Sequence, residues 1–152
     1  TLKYFSMKKK GRKIILISVV LLVVLQFVTG ERVYRAVNPQ TDFLSVSKAP
    51  KEVALIVKAN CYDCHSRQVE YPWYASIAPI SFLIEHHVEE GIEHLNFSDW
   101  TKYSSKKAAH KLEEIVEEVE EDKMPLKSYT LLHGNLSDRD KKTFLDWIQT
   151  MR

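Results

Sequence analysis

The chain has 152 residues, 45% hydrophobic and 28% charged; that is about one domain's length, too apolar for a disordered chain and too charged for a multi-span membrane protein. Its formal charge of +2 joins two unlike parts: residues 1–30 hold six bases (Lys3, Lys8, Lys9, Lys10, Arg12, Lys13) and no acid, leaving sixteen bases against twenty acids, a balance of −4, in residues 31–152. A mildly acidic domain argues against nucleic acid as a partner, and four glycines leave little room for a glycine-cradled phosphate site.

Met7 is the expected natural start. Behind it come Lys8-Lys9-Lys10-Gly11-Arg12-Lys13 and then Ile14 to Val28, fifteen residues broken only by Ser18 and Gln26. A basic flank before an apolar run keeps the N-terminus in the cytoplasm and sends the downstream chain across the bilayer. Fifteen helical residues rise about 22 Å, short of a ~30 Å hydrocarbon core. That length suits a signal peptide, but Val28-Thr29-Gly30 is a weak cleavage site, which favours an uncleaved anchor. Residues 1–30 are therefore expected to be a signal peptide or uncleaved signal anchor, with residues 14–28 as the membrane contact.

Residues 31–46 read as a linker arm with Asn38-Pro39 as a turn signal. The rest, 47–152, fits a 3.6-residue period better than alternation. A first helix is predicted over Ser47–Ala59, capped by Ser47, with Val53, Ile56 and Val57 on one face. A second is marked by Ile80, Leu83, Ile84, His87 and Val88, with Pro79 at its start and Gly91 near its end. A third covers Lys106–Lys123, with a stripe of Leu112, Ile115, Val116 and Val119. Its outer face has seven acids in the ten positions Glu113–Asp122, read as a solvated surface. Ser137 opens the last helix, with Asp138 and Asp140 in its first turn and a stripe of Phe144, Trp147, Ile148 and Met151. Strand signals are too few for a sheet, so an all-α bundle of about four helices is expected.

The chemistry sits in Cys61-Tyr62-Asp63-Cys64-His65. C-x-x-C-H is the c-type haem attachment spacing: two thiols on neighbouring turns reach two vinyl groups of one porphyrin, and the next residue, His65, becomes the proximal iron ligand. Three readings compete. A structural zinc site needs two further ligands, and the chain has no second cysteine pair. A redox pair wants a strand–helix context, whereas the sequence before Cys61 reads as helix. The third is a chance pattern of structural cysteines. Export favours one covalent haem c with its iron.

Further stretches carry a family resemblance: Cys61 to Ser66, Tyr71-Pro72-Trp73-Tyr74, Ile77-Ala78-Pro79, Val88-Glu89-Glu90-Gly91, His94-Leu95-Asn96-Phe97-Ser98 and Met124-Pro125-Leu126. Over residues 47 to about 150 the chain resembles the small haem-binding domain of exported bacterial proteins, related to class I cytochromes c. It departs from that pattern at Phe82, where Trp is expected, and at Asp122-Lys123, where Gly-Glu is common. The resemblance implies a cytochrome c-like helical fold around one haem, on the periplasmic side of the bacterial cell envelope.

Met124 is the expected distal ligand. It ends the acidic helix, precedes Pro125 and lies 59 residues after His65, as the distal Met-Pro of small cytochromes c does. His87 is the alternative, and Met151, His86, His94, His110 and His133 complete the candidates. By the same resemblance Pro79 belongs to the loop whose carbonyl receives the other N–H of His65. Tyr71, Trp73, Tyr74 and Trp100 are candidates to hydrogen-bond haem propionates.

A six-coordinate iron has no place for a substrate. The expected function is therefore one-electron transfer by a carrier, not an enzyme, working with a redox partner protein that the sequence does not identify. A haem-based sensor of small ligands is the alternative, and a peroxidase-type enzyme a more distant one.

Overall fold

The computed structural model describes residues 9–28, 32–34 and 36–151; the bases up to Lys8 and the Thr29-Gly30 end of the cleavage signal lie outside them. The chain separates into two units, Thr1–Arg32 with Pro72–His86, and Val33–Tyr71 with His87–Arg152. The all-α expectation holds, but among the described residues seven α-helices follow the N-terminal one, instead of a bundle of about four. The helices are α1 (Lys9–Leu25), α2 (Phe43–Val46), α3 (Lys51–Asn60), α4 (Tyr62–His65), α5 (Ile80–His94), α6 (Ser105–Glu120), α7 (Lys127–His133) and α8 (Asp138–Gln149), with 3-10 turns at Trp73–Ser76 and Phe97–Lys102. Extended pairing among the described residues is limited to one antiparallel bridge, Tyr34 to Gln68.

In the first unit, α1 is a helix of 17 residues with none of them buried. Its rise of about 25 Å stays short of a bilayer core, and among the described residues no helix is long and apolar enough to cross a membrane. Just past it, Gln26 grips the chain at Ala78 from both sides. Its Nε2 donates to the Ala78 carbonyl at 3.2 Å, and its Oε1 accepts the Ala78 N–H at 3.1 Å. Arg32 donates to Ser76 Oγ at 2.7 Å and to the Ala75 carbonyl at 3.3 Å.

The second unit holds the hydrophobic core, and here the linker arm needs correcting. Asn38-Pro39 does open a turn, with the Thr41 and Asp42 N–H groups on the Asn38 carbonyl. The chain then enters the core, where Phe43 is 1% exposed and Asp42 caps α2 by accepting the Ser45 N–H at 3.2 Å. Ser47 accordingly ends α2 instead of starting α3. Lys48 turns the chain with φ at 51°, and Pro50 precedes Lys51 as the new helix begins. The four residues of α2 are too few to display a period.

Val53, Ile56 and Val57 of α3 pack with the α6 stripe and with Phe144 and Ile148 of α8, all buried as expected. Ser104 and Ser137 cap α6 and α8 through the N–H groups of Lys107 and Asp140. Phe43 and Phe97 stack at 4.9 Å, and Tyr62 stacks on Phe97 at 5.4 Å. Burying an aromatic ring of this kind contributes about 2–3 kcal/mol. The Tyr62 hydroxyl donates to buried Asp42 at 3.0 Å, which joins the attachment motif to the first turn of the unit.

Asp99 ties two loops by accepting from Arg67 Nε at 3.2 Å and Lys102 Nζ at 3.0 Å. Burial pushes its carboxyl pKa up, but the hydrogen bonds from Lys102 and Arg67 outweigh that and hold it below the ordinary value. A depressed folded pKa gives stability that is complete above the unfolded value of about 3.9 and is lost as pH falls through the folded one. Asp99→Asn is thus expected to lower stability at neutral pH and to flatten the acid limb of a urea-midpoint profile below about pH 4.

Candidate functional site

The motif Cys61–His65 is a single tight turn: the N–H groups of Cys64 and His65 both reach the Cys61 carbonyl, at 3.2 and 2.9 Å. Buried Tyr62 pins that turn to the core, with Cys61 and Cys64 partly covered and unpaired. Burial, then the neighbouring Cys64, pushes the Cys61 thiol up to about 12. Burial, then Asp63, pushes Cys64 up to about 11. Both are therefore thiols at neutral pH. A nucleophilic redox cysteine needs the opposite shift. Among the described residues no three His, Cys, Asp or Glu side chains cluster as the ligands of a structural zinc would.

His65 Nδ1 lies 2.8 Å from the Gly91 carbonyl oxygen and 3.2 Å from that of Leu95. Facing two acceptors, Nδ1 carries the ring proton, and Nε2 keeps its lone pair. Burial lowers the imidazole pKa against the raising effect of those two carbonyls, so the ring is neutral and able to ligate. This corrects the role expected of Pro79. The accepting carbonyls belong to the last turn of α5 and the residue after it, and Pro79 is a member of the first unit.

Gly91 is what lets α5 come so close. It sits in the last turn of the helix, near its end as expected, but the helix continues past it to His94. A Cβ built there would overlap the Cys64 carbonyl oxygen and lie 2.9 Å from the carbonyl carbon.

Cys61, His65 and Met124 line one apolar cleft, together with Ile56, Val119 and Leu136. Met124 is delivered there by the way α6 ends. Asp122 takes φ of 54°, after which the N–H groups of Lys123 and Met124 both bond the Glu118 carbonyl at 3.0 Å. Glycine adopts this left-handed conformation without steric cost, which supplies a physical reason for the glycine expected near this position. Asp122→Gly should raise stability by about 1 kcal/mol, less a few tenths for its exposed ion pair with Lys141, read as a higher urea midpoint.

The segment after Met124 is held from outside. The Tyr129 hydroxyl lies 2.8 Å from Asp63 Oδ2 and 3.0 Å from the Ala59 carbonyl. Burial and the Asp63 carboxylate raise the phenol pKa, so it stays protonated and donates. No residue of α7 is buried, so this contact is its main tie to the motif. Tyr129→Phe is expected to cost about 1–2 kcal/mol locally, seen as faster amide exchange in Lys127–His133 with little change in the global midpoint.

The donors on the cleft suit a haem: the Cys61 thiol, a neutral imidazole with its other nitrogen already engaged, and a thioether, among largely apolar walls; Cys64, three residues from Cys61, does not line the cleft itself. The enclosed part of the cleft measures about 40 Å³, room for a water-sized guest. A ring-sized guest requires the walls to part, and the Met124–Leu136 wall is the less buried one.

The other candidates fall elsewhere. Trp100 and Met151 line a different recess of about 270 Å³ with Phe43 and Leu112, and Trp100 packs on Phe43 at 4.5 Å. Tyr71 accepts the Val33 N–H at 3.1 Å. Trp73 and Tyr74 belong to the first unit, with their rings 5.7 Å apart. His87 is half-buried on α5 and His94 exposed at its end; neither lines the cleft. His86 is exposed, His110 pairs with Glu114 at 3.2 Å, and His133 stacks on Tyr129 at 4.2 Å.

Sequence reasoning missed Gly91, Leu95 and Tyr129. The one available signal was a glycine inside an otherwise helical run, which costs about 1 kcal/mol and so marks a close approach. A family profile described as a haem-binding domain matches residues 20–150. No curated protein and no solved structure matches the chain.

Proposed function

The chain belongs to the haem-binding domain family, and from that premise we propose that it is a membrane-tethered, c-type carrier of single electrons. In this reading Cys61 and Cys64 hold one haem by thioether bonds, His65 Nε2 is the proximal iron ligand and Met124 Sδ the distal one. The haem supplies reversible one-electron chemistry at iron, with the thioether favouring the ferrous state. The chain does the rest. Gly91 and Leu95 carbonyls fix the ring of His65, and Ile56, Val119 and Leu136 keep water from the cleft.

One observation carries the reading: His65, its Nδ1 committed to Gly91, shares an apolar cleft with Cys61 and Met124. His65 and Met124 on one cleft would together supply both protein ligands of a bound haem, which favours a carrier over a sensor or a peroxidase. The apolar stretch Ile14–Val28 supports export and an uncleaved anchor, with the second unit on the periplasmic side.

The test is a set of optical spectra of membrane-expressed protein. The ferric form should show the weak long-wavelength band of thioether-bound iron, and the ferrous form should not bind carbon monoxide. Rapid carbon monoxide binding would favour the sensor instead.

A further inference from the structure

We propose that the segment Pro72–Ile84 is a second membrane contact, lying in the lipid interface beside the far end of α1. The proposal rests on the reading that α1 lies in the bilayer. These 13 residues contain no Asp, Glu, Lys or Arg. Their burial is inverted for a surface facing water: the small residues Ala75, Ala78 and Ser81 are buried, whereas Trp73 is 77%, Ile77 41%, Ile80 45% and Leu83 54% exposed. Large apolar side chains outside and small ones inside suit a surface that meets lipid.

Continuity identifies the occupant. The Gln26 clamp on Ala78 belongs to the last residues of the apolar stretch Ile14–Val28, so the segment sits at the depth where that stretch leaves the bilayer. A few residues further on, Arg32 bonds Ser76 and Ala75. Tryptophan favours this headgroup level. A helix of 17 residues is also short for a ~30 Å core, and an apolar element beside its end makes up part of the missing contact.

The experiment uses the full haem-loaded chain in vesicles of phosphatidylethanolamine and phosphatidylglycerol. A diazirine photocrosslinker is placed in turn at Trp73, Ile80 and Leu83, with Leu22 reporting on α1 and exposed Glu113 as the aqueous control. The haem spectrum shows that each protein has folded. Lipid adducts, counted by mass spectrometry, are expected at all three positions at about tenfold or more over Glu113, as at Leu22. Adducts at Leu22 with none above background at the three positions overturn this inference and leave the anchor standing. Crosslinks from the three positions to a second copy of the chain, without lipid adducts, also overturn it. No adduct even at Leu22 overturns the anchor and this inference together.

Discussion

Gly91→Ala is expected to loosen the site around Cys64 and His65. Alanine is the better helix former by about 1 kcal/mol, so in an exposed helix this substitution stabilises. Here the added Cβ meets backbone, the Cys64 carbonyl, which cannot rotate aside. Overpacking against an immobile group costs about 3 kcal/mol, so the net loss is about 2 kcal/mol. To relieve the overlap α5 must back away, and the 2.8 Å contact between Gly91 and His65 goes with it. The urea midpoint and the fraction of chains carrying covalent haem should both fall. Glu89→Ala, exposed on the same helix, should change neither. A Gly91→Ala protein with wild-type stability and haem content would mean that α5 does not pack on the motif in this way.

Met124→Ala should act on the iron and spare the fold. Met124 is only partly buried, so its loss costs less than the 2–5 kcal/mol of a fully buried methionine. Removing a thioether ligand is expected to lower the reduction potential by about 0.2 V, within the ~0.8 V over which axial ligands act. The ferric thioether band should vanish, and carbon monoxide should bind the ferrous protein. Redox titration and optical spectra check this together. An unchanged potential and spectrum would remove Met124 from the iron and return His87 to consideration.

Features repeated along the chain were legible in the sequence. The stripes of α6 and α8 recur over several turns, and Ser137 with Asp138 and Asp140 announces a helix start, so those elements stand where expected, except that α6 ends at Glu120, short of the expected Lys123, where Asp122 turns the chain. The spacing of Cys61, Cys64 and His65 is local in the chain and needs no tertiary context to be read. Short or contact-dependent features were hidden. α2 and α7 span 4 and 7 residues, too few for a hydrophobic period, and α7 buries nothing that would leave one. The carbonyl partner of His65 was misassigned for a related reason. It is a backbone group, which no residue type advertises, and it depends on how closely α5 approaches Cys64. Gly91 was visible, but a glycine near the end of a predicted helix reads as a stop until something is seen to pass beside it. Asp122 shows the converse: a departure from the expected glycine, explained once φ is known.

The measurement that bears most directly on the c-type reading is the intact mass of the full chain, purified from membranes and denatured in acid, with the Cys61→Ser, Cys64→Ser double variant beside it. Thioether attachment predicts that the wild-type chain keeps one haem through denaturation and that the double variant keeps none. Wild-type protein that releases its haem into acidified organic solvent, leaving the mass of the bare chain, would contradict it.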